Sequence, residues 1–202
     1  MKLIHQTFIV LSSIIVLSCS VMDRGQIIDD RTNDHIYSQL CNHLINKYSN
    51  EQHSLLVLED HTYIPRGVKK INNDIYYIEK LRRSFEKIEL STIQNFYTEN
   101  EQIDTLPKSL TTNIKADVIF LTPSESRSIL QADNGWDRFY QKFSGANGLL
   151  ALSKIGYDNN KKQALVAYGY FCGLHCGKGG LVFFQFKHSK WKIMEIITFW
   201  DP

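Results

Sequence analysis

The chain carries almost no net charge: 23 Lys and Arg stand against 21 Asp and Glu, or +2 at neutral pH. So even a balance gives no long-range pull toward nucleic acid, which is not expected as a partner. The basic runs Lys69-Lys70, Arg82-Arg83 and Lys161-Lys162 are short and read as solvated surface. Internal repeats and low-complexity blocks are absent. There is no Gly-x-Ser-x-Gly elbow to present a serine nucleophile. Lys178-Gly179-Gly180 lacks the rest of a phosphate-binding loop. No second Cys-x-x-Cys or His-x-x-x-His completes a zinc set. No metal and no cofactor are therefore expected. What is present, 43% hydrophobic and 22% charged residues, is the composition of an ordinary globular chain with enough length for one real core.

The N-terminus has its own logic. Lys2 and His5 form a short basic start, and the apolar run from Phe8 to Leu17 follows. A bilayer span needs roughly 20 apolar residues, so this run has the length of a signal peptide instead. It ends at Val16-Leu17-Ser18-Cys19, which resembles the lipobox of bacterial lipoproteins. That resemblance implies diacylglycerol attachment to Cys19, removal of residues 1–18 and acylation of the new amine. Several acyl chains on one residue hold a protein firmly, where a single chain holds it marginally. A plain secretory signal with a chance cysteine, or an uncleaved anchor, are the alternatives, and both still export the domain. Loss of Lys2 with the leader lowers the net charge from +2 to +1. Ser20 after the cysteine favours an outer-membrane destination under the enterobacterial sorting rule. Residues 19–33 are polar with little periodicity and read as a tether.

From Asp34 the pattern turns helical. Ile36, Tyr37, Leu40, Cys41, Leu44, Ile45 and Tyr48 share one face, and Asn33 or Asp34 can cap the start. Leu55 to Leu58 reads as a buried strand, and Pro65 and Gly67 break the chain. A second helix is expected from Asp74, turning Ile75, Ile78, Leu81, Phe85 and Ile88 inward. Ser91 with Gln94 has capping-box spacing for a short helix over 92–98. Val118 to Leu121 is a strand stopped by Pro123. Residues 124–143, with Trp136, Phe139, Tyr140 and Phe143, suit short helical turns with an aromatic inner face. The last quarter reads as β: strands at 149–157, 164–172, 181–187 and 191–200, turns at 158–160 and 188–189, and a glycine-rich connection over 173–180. Several of these strands are apolar on both faces, so the sheet must be covered twice or curl around a core. The expected architecture of residues 34–202 is a single α+β domain, N-terminal helices packed on a curved antiparallel meander.

A second resemblance covers about the C-terminal half. Thr92-x-x-x-Phe96-x-x-x-Asn100, Leu106, Leu110, Glu125, Trp136-x-x-Phe139 and Gly148 come first. Leu152-Ser153-x-Ile155-Gly156-Tyr157, Gln163-Ala164-Leu165-Val166, Cys172-Gly173-x-x-Cys176-Gly177-x-Gly179 and Trp191-Lys192-Ile193 follow. In that order they resemble a widespread group of bacterial secreted proteins and lipoproteins without an assigned activity. The group implies export and no mechanism. Phe143-Ser144-Gly145 departs from its pattern, where Tyr-Pro is expected.

Cys172 and Cys176 are the most informative pair. A tight reversal over the glycine-rich loop brings two Cα atoms within bridging distance, and an oxidising compartment would then close a disulfide. Two free thiols remain open on the residues alone. His175 between them, with His188 or His61, is a metal alternative. Adjacent residues on an extended chain point apart, which counts against it. The spacing is Cys-x-x-x-Cys, not that of thioredoxin-like sites, and no helix start lies beside it to stabilise a thiolate. Cys41 reads as a small buried hydrophobe without a partner. Asp133 and Asp137 are further carboxylates of the acid–base class, and Glu125 sits where a helix would begin and favours its dipole. Trp136, Trp191 and Trp200, with Phe183, Phe184 and Phe186, are aromatic mass for a core rather than an exposed platform.

These readings lead to a lipid-anchored envelope protein, facing periplasm or exterior, whose domain is a non-catalytic binding or structural module with an envelope partner. The alternative is an enzyme of unknown reaction sited near the Cys172–Cys176 loop. It requires a cleft where His175, Glu125 or a tyrosine such as Tyr168 converge within hydrogen-bond reach. A small ligand held inside the sheet would need an internal pocket.

Overall fold

The computed structural model describes residues 22–48, 55–63 and 75–200. The leader, Cys19 and the break at Pro65 and Gly67 lie outside the described residues. The first helix, α1, spans Met22–Tyr48. Ile36, Tyr37, Leu40, Cys41 and Leu44 of the expected face are buried, and Ile45 and Tyr48 are half-buried against the same core. It starts earlier than the cap expected at Asn33 or Asp34, so the expected tether is helical backbone from Met22 onward. Nothing in that polar stretch forbids helix: it contains no proline, and Gly25 costs only about 1 kcal/mol in a helix interior.

Strand β1 (Leu55–Glu59) pairs in parallel with both β2 (Asp117–Leu121) and β3 (Ala146–Leu152). From β3 onward the pairing is antiparallel, through β5 (Gln163–Gly173), β6 (Cys176–Lys187) and β7 (Lys190–Trp200). The short β4 (Gly156–Tyr157) pairs with β5 beside β3. The meander is therefore present, but as one part of a mixed, open seven-stranded sheet in the order β2-β1-β3-β5-β6-β7.

Both faces are covered, which resolves the two-sided apolar pattern of the strands. On one face α1 packs over Leu56, Leu58, Leu150, Leu152, Val166, Val182 and Phe184. On the other, α2 (Ile75–Ser84), Phe85 just beyond it and α3 (Leu90–Glu99) lay Leu81, Phe85, Ile93 and Phe96 on Leu165, Ala167, Leu181 and Phe183. On that second face β1 and β3 turn Val57 and Leu149 toward Phe139 and Phe143, carried by and just beyond α5 (Gly135–Lys142). Of the core tryptophans, Trp191 is buried, Trp136 is half-buried, and the Trp200 side chain lies outside the described residues.

Three local expectations are corrected. Residues 149–157 do not form one strand. The chain leaves β3 at Leu152 because Asn100 claims the backbone on both sides of Lys154: its Oδ1 accepts the Lys154 N–H at 2.9 Å and its Nδ2 donates to the Lys154 carbonyl at 3.1 Å. The glycine-rich stretch 173–180 is not a connection. It is ladder on both sides of a turn at Leu174 and His175. Ser91 and Gln94 do not box the start of α3, whose N-cap is Glu89 without a side-chain cap. Its cap comes from across the fold: Gln163 Oε1 accepts the Glu89 N–H at 2.7 Å and the Thr92 hydroxyl at 3.2 Å. Among the described residues, no helix is long and apolar enough to cross a membrane.

A candidate ligand groove at the stapled hairpin

The hairpin of β5 and β6 ends in a two-residue turn, and Cys172 and Cys176 flank it. Their Cα atoms are 5.0 Å apart and the sulfurs are bonded. The disulfide reading of this pair holds.

The staple forms one wall of a groove of about 490 Å³. Tyr48, the last residue of α1, forms the facing wall. Its ring stacks on Tyr170 of β5, centroids 5.0 Å apart and planes within 9°. Tyr140 of α5 closes one side. Its hydroxyl donates to the Cys172 carbonyl at 3.0 Å and the Asn147 carbonyl at 3.2 Å, tying the helix to the hairpin. The Tyr170 hydroxyl donates to the same Asn147 carbonyl at 2.5 Å. Burial, with Tyr140 and Tyr48 nearby, pushes the Tyr170 pKa up to about 12, so this phenol stays neutral and keeps donating. Lys178 places its ammonium 5.8 Å from the Tyr48 ring centroid, and Lys47 places its own at 5.5 Å. Both are cation–π distances. His175 lines the groove from the exposed turn.

The three residues that an enzyme reading needs do not meet there. Only His175 lines the groove. Glu125 is exposed at the start of α4 (Pro123–Leu130), where it completes a capping box with Thr122. Hydrogen bonds from the Thr122 backbone and side chain hold its carboxyl below the usual range. Tyr168 is buried beneath α1 among the core residues. Its hydroxyl makes no hydrogen bond of good geometry, and burial followed by the neighbouring Tyr48 raises its pKa. The further histidines are dispersed: His188 occupies the turn at the far end of β6, and His61 sits beyond β1 against Asp60. Among the described residues no three His, Cys, Asp or Glu side chains are grouped closely enough to hold a metal ion. Cys41 is buried as expected, and burial pushes its thiol up to about 12.

The residues that build the groove were read from sequence as core or dismissed. Tyr48 was the last position of an apolar helix face, Tyr140 an inward aromatic and Lys178 part of a failed phosphate loop. One signal pointed to them. Tyr168, Tyr170 and Cys172 recur at period two, so they line one face of a strand as it runs out to a cysteine.

A second cleft of about 470 Å³ lies at the opposite end of β5, beside Tyr157 and Asp158. Its polar groups satisfy one another. Tyr157 donates to Asn33 at 2.6 Å, Lys154 pairs with Asp104 at 3.4 Å, and Asp158 accepts the Lys162 N–H at 2.6 Å. That cleft is held together by its own residues, while the groove opens beside the exposed His175. The exposed large apolar side chains are dispersed: Leu90, Ile103, Ile119 and Leu174 sit on separate elements, and Phe186, Met194 and Phe199 lie along β6 and β7. No protein-family model, curated protein or solved structure matches the chain.

Proposed function

We propose that this chain is a lipid-anchored, extracytoplasmic envelope protein whose domain is a non-catalytic binding module, with the groove at the stapled hairpin as its binding surface. The apolar leader ending at Cys19 supports the anchor, and the resemblance of the C-terminal half to exported bacterial proteins supports the compartment. A disulfide between Cys172 and Cys176 fits an oxidising environment.

The observation that carries the reading is the continuity of α1. It is a single helix of 27 residues from Met22, three positions after Cys19, to Tyr48 in the groove wall. At 1.5 Å per residue it measures about 40 Å. On this reading a lipid on Cys19 tethers one end of the helix, and the groove lies at the other. The enzyme alternative has no comparable support, because its three residues occupy separate places.

The test is cell fractionation with intact-mass analysis of detergent-extracted protein, beside a Cys19→Ala variant. The expected result is a chain beginning at residue 19 with the mass of its acyl groups, lost from membranes on substitution. A soluble chain that retains Met1 overturns the reading.

A further inference from the structure

We propose that the turn between β6 and β7 rests on the bilayer surface, held there by anionic phospholipid headgroups. The inference rests on the anchored reading for where the bilayer lies, and adds a second contact with it. The hairpin carries an unusual pair. Lys187 and Lys190 stand directly opposite each other across the two-residue turn. Like charges in that position repel. Opposite residues, and residues two apart, share a face of a strand pair, so Lys192 lies on the same side as both. All three are exposed, as is His188 in the turn. The Phe186 N–H donates to the Lys162 carbonyl at 2.8 Å, which brings the exposed Lys162 to the same end of the sheet.

Within the described residues no ion pair involves Lys162, Lys187, Lys190 or Lys192. Lys187 reaches the Met194 thioether at 3.8 Å, a neutral and weak acceptor. Asp158, the carboxylate of the neighbouring turn, is buried and accepts the Lys162 and Gln163 N–H groups. Glu195 lies farther along β7, beyond a bulge and opposite Phe183. Glu89 accepts the Ser91 hydroxyl at 3.5 Å. The repulsion at the turn is therefore left for an external anion to relieve.

Position says which anion. The end of the sheet that carries the turn is also the end at which α1 enters. The Gln39 side-chain amide donates to the Trp191 carbonyl at 2.7 Å, and the Tyr157 hydroxyl donates to Asn33 at 2.6 Å. Tyr48 lies at the opposite end, beside Tyr170. From Asn33 back to Met22 the helix rises about 17 Å, and the three positions to Cys19 add at most about 10 Å. A lipid on Cys19 thus holds the turn on a short tether above the headgroups, where effective concentrations are millimolar. Weak contacts then suffice, since each lysine near an anionic surface contributes roughly a fivefold factor. Lysine ammoniums are mobile point charges, suited to diffuse headgroup phosphates more than to a fixed carboxylate. Phe186 points to the other face and packs on Trp191, centroids 5.5 Å apart, so the contact is electrostatic and stays outside the hydrocarbon.

The experiment uses the full-length protein, extracted from membranes and reconstituted in phosphatidylcholine vesicles with or without phosphatidylglycerol. An amine-reactive reagent is added, and the labelling rate of each lysine is read by mass spectrometry. Lys187, Lys190 and Lys192 are expected to label at least about fivefold more slowly on the anionic vesicles, with the protection lost in high salt. Lys142, exposed at the staple end where Tyr140 ties α5 to Cys172, should label alike on both. A chain carrying Lys187→Gln, Lys190→Gln and Lys192→Gln should lose the protection of Lys162, with thermal unfolding confirming that it folds. Equal labelling on the two vesicles, protection that survives high salt, or protection shared by Lys142 overturns the proposal. So does stronger protection by soluble polyglutamate than by anionic vesicles, which would assign an acidic protein to the turn. Intact mass at Cys19 is read on the same sample. Absence of protection on a lipidated chain removes the headgroup contact and leaves the anchored-module reading in place. Protection on a chain that proves unlipidated keeps the contact and removes the anchor.

Discussion

Gln163 shows how much one side chain can organise. It stands at the first position of β5, yet its amide accepts from Glu89 and Thr92 and donates to the Lys87 carbonyl at 2.9 Å. It therefore fixes both the turn before α3 and the start of that helix. Gln163→Ala leaves the buried Thr92 hydroxyl without its acceptor and removes the cap on two half-buried backbone groups, and about 1–2 kcal/mol of stability should be lost. Urea unfolding should show the midpoint falling with an unchanged slope. A shift under about 0.5 kcal/mol would mean that the bracket is replaced by water. Gly156 makes a related point about legibility. The sequence marked it within an Ile-Gly-Tyr series without a reason. An added Cβ would lie 2.2 Å from Phe96 Cα, so the glycine is what lets α3 cross the sheet edge. Such a close approach depends on a partner 60 positions away, and no local pattern announces it.

Thr122 and Glu125 carry an element-scale argument with a pH sign. Pro123 stops β2 and opens α4, and the capping box satisfies two of the free amides at that start. Thr122→Ala should cost about 1 kcal/mol in chemical denaturation. Because the folded carboxyl of Glu125 titrates below its ordinary value, its contribution is present above the unfolded pKa and fades as pH falls through the folded one. The stability gap between wild type and Glu125→Gln should thus close in acid; a gap that stays constant below the carboxylate range would exclude the box as its source.

The stapled hairpin is an element whose length the sequence understated. Gly177, Gly179 and Gly180 look like loop chemistry, but all lie in the β5–β6 ladder. At Gly180 an added Cβ would meet the Ile197 carbonyl oxygen at 2.2 Å, so glycine here serves the close approach of β7. Closing so short a loop, the bond should contribute about 2 kcal/mol in the chain-entropy account. Reduction or the paired Cys172→Ser, Cys176→Ser change should lower the melting temperature by about 4–8 °C. It should also free Tyr140 from the Cys172 carbonyl, visible as altered tyrosine fluorescence. Unchanged melting with both thiols alkylated would show that the ladder alone holds the tip. Helices and strands were legible here because their periods are local. The parallel pairing of β1 with β2 and β3 was not, since partners separated by long helical excursions leave no trace in either segment.

The molecule as a whole can be read through its sulfur. The sequence contains four cysteines. Two are joined at the hairpin, and Cys41 is sealed against the sheet with its pKa pushed up to about 12, so at neutral pH it offers neither access nor thiolate. If Cys19 is a thioether, the native protein presents no thiol to a thiol-reactive chromophore. Unfolding in denaturant without reductant should then release one equivalent, from Cys41, and prior reduction should raise it to three, with Cys172 and Cys176. The native reaction should proceed only as fast as the domain opens, because Cys41 lies within the cluster that joins α1 to the sheet. A chain whose Cys19 is unmodified gives one equivalent more once unfolded: two without reductant and four after reduction. Slow release of one equivalent from folded protein, matching the global unfolding rate, is the outcome that unites anchor, staple and core. Fast reaction at Cys41 would mean that α1 parts from the sheet independently, and the groove wall at Tyr48 would then be a moving one.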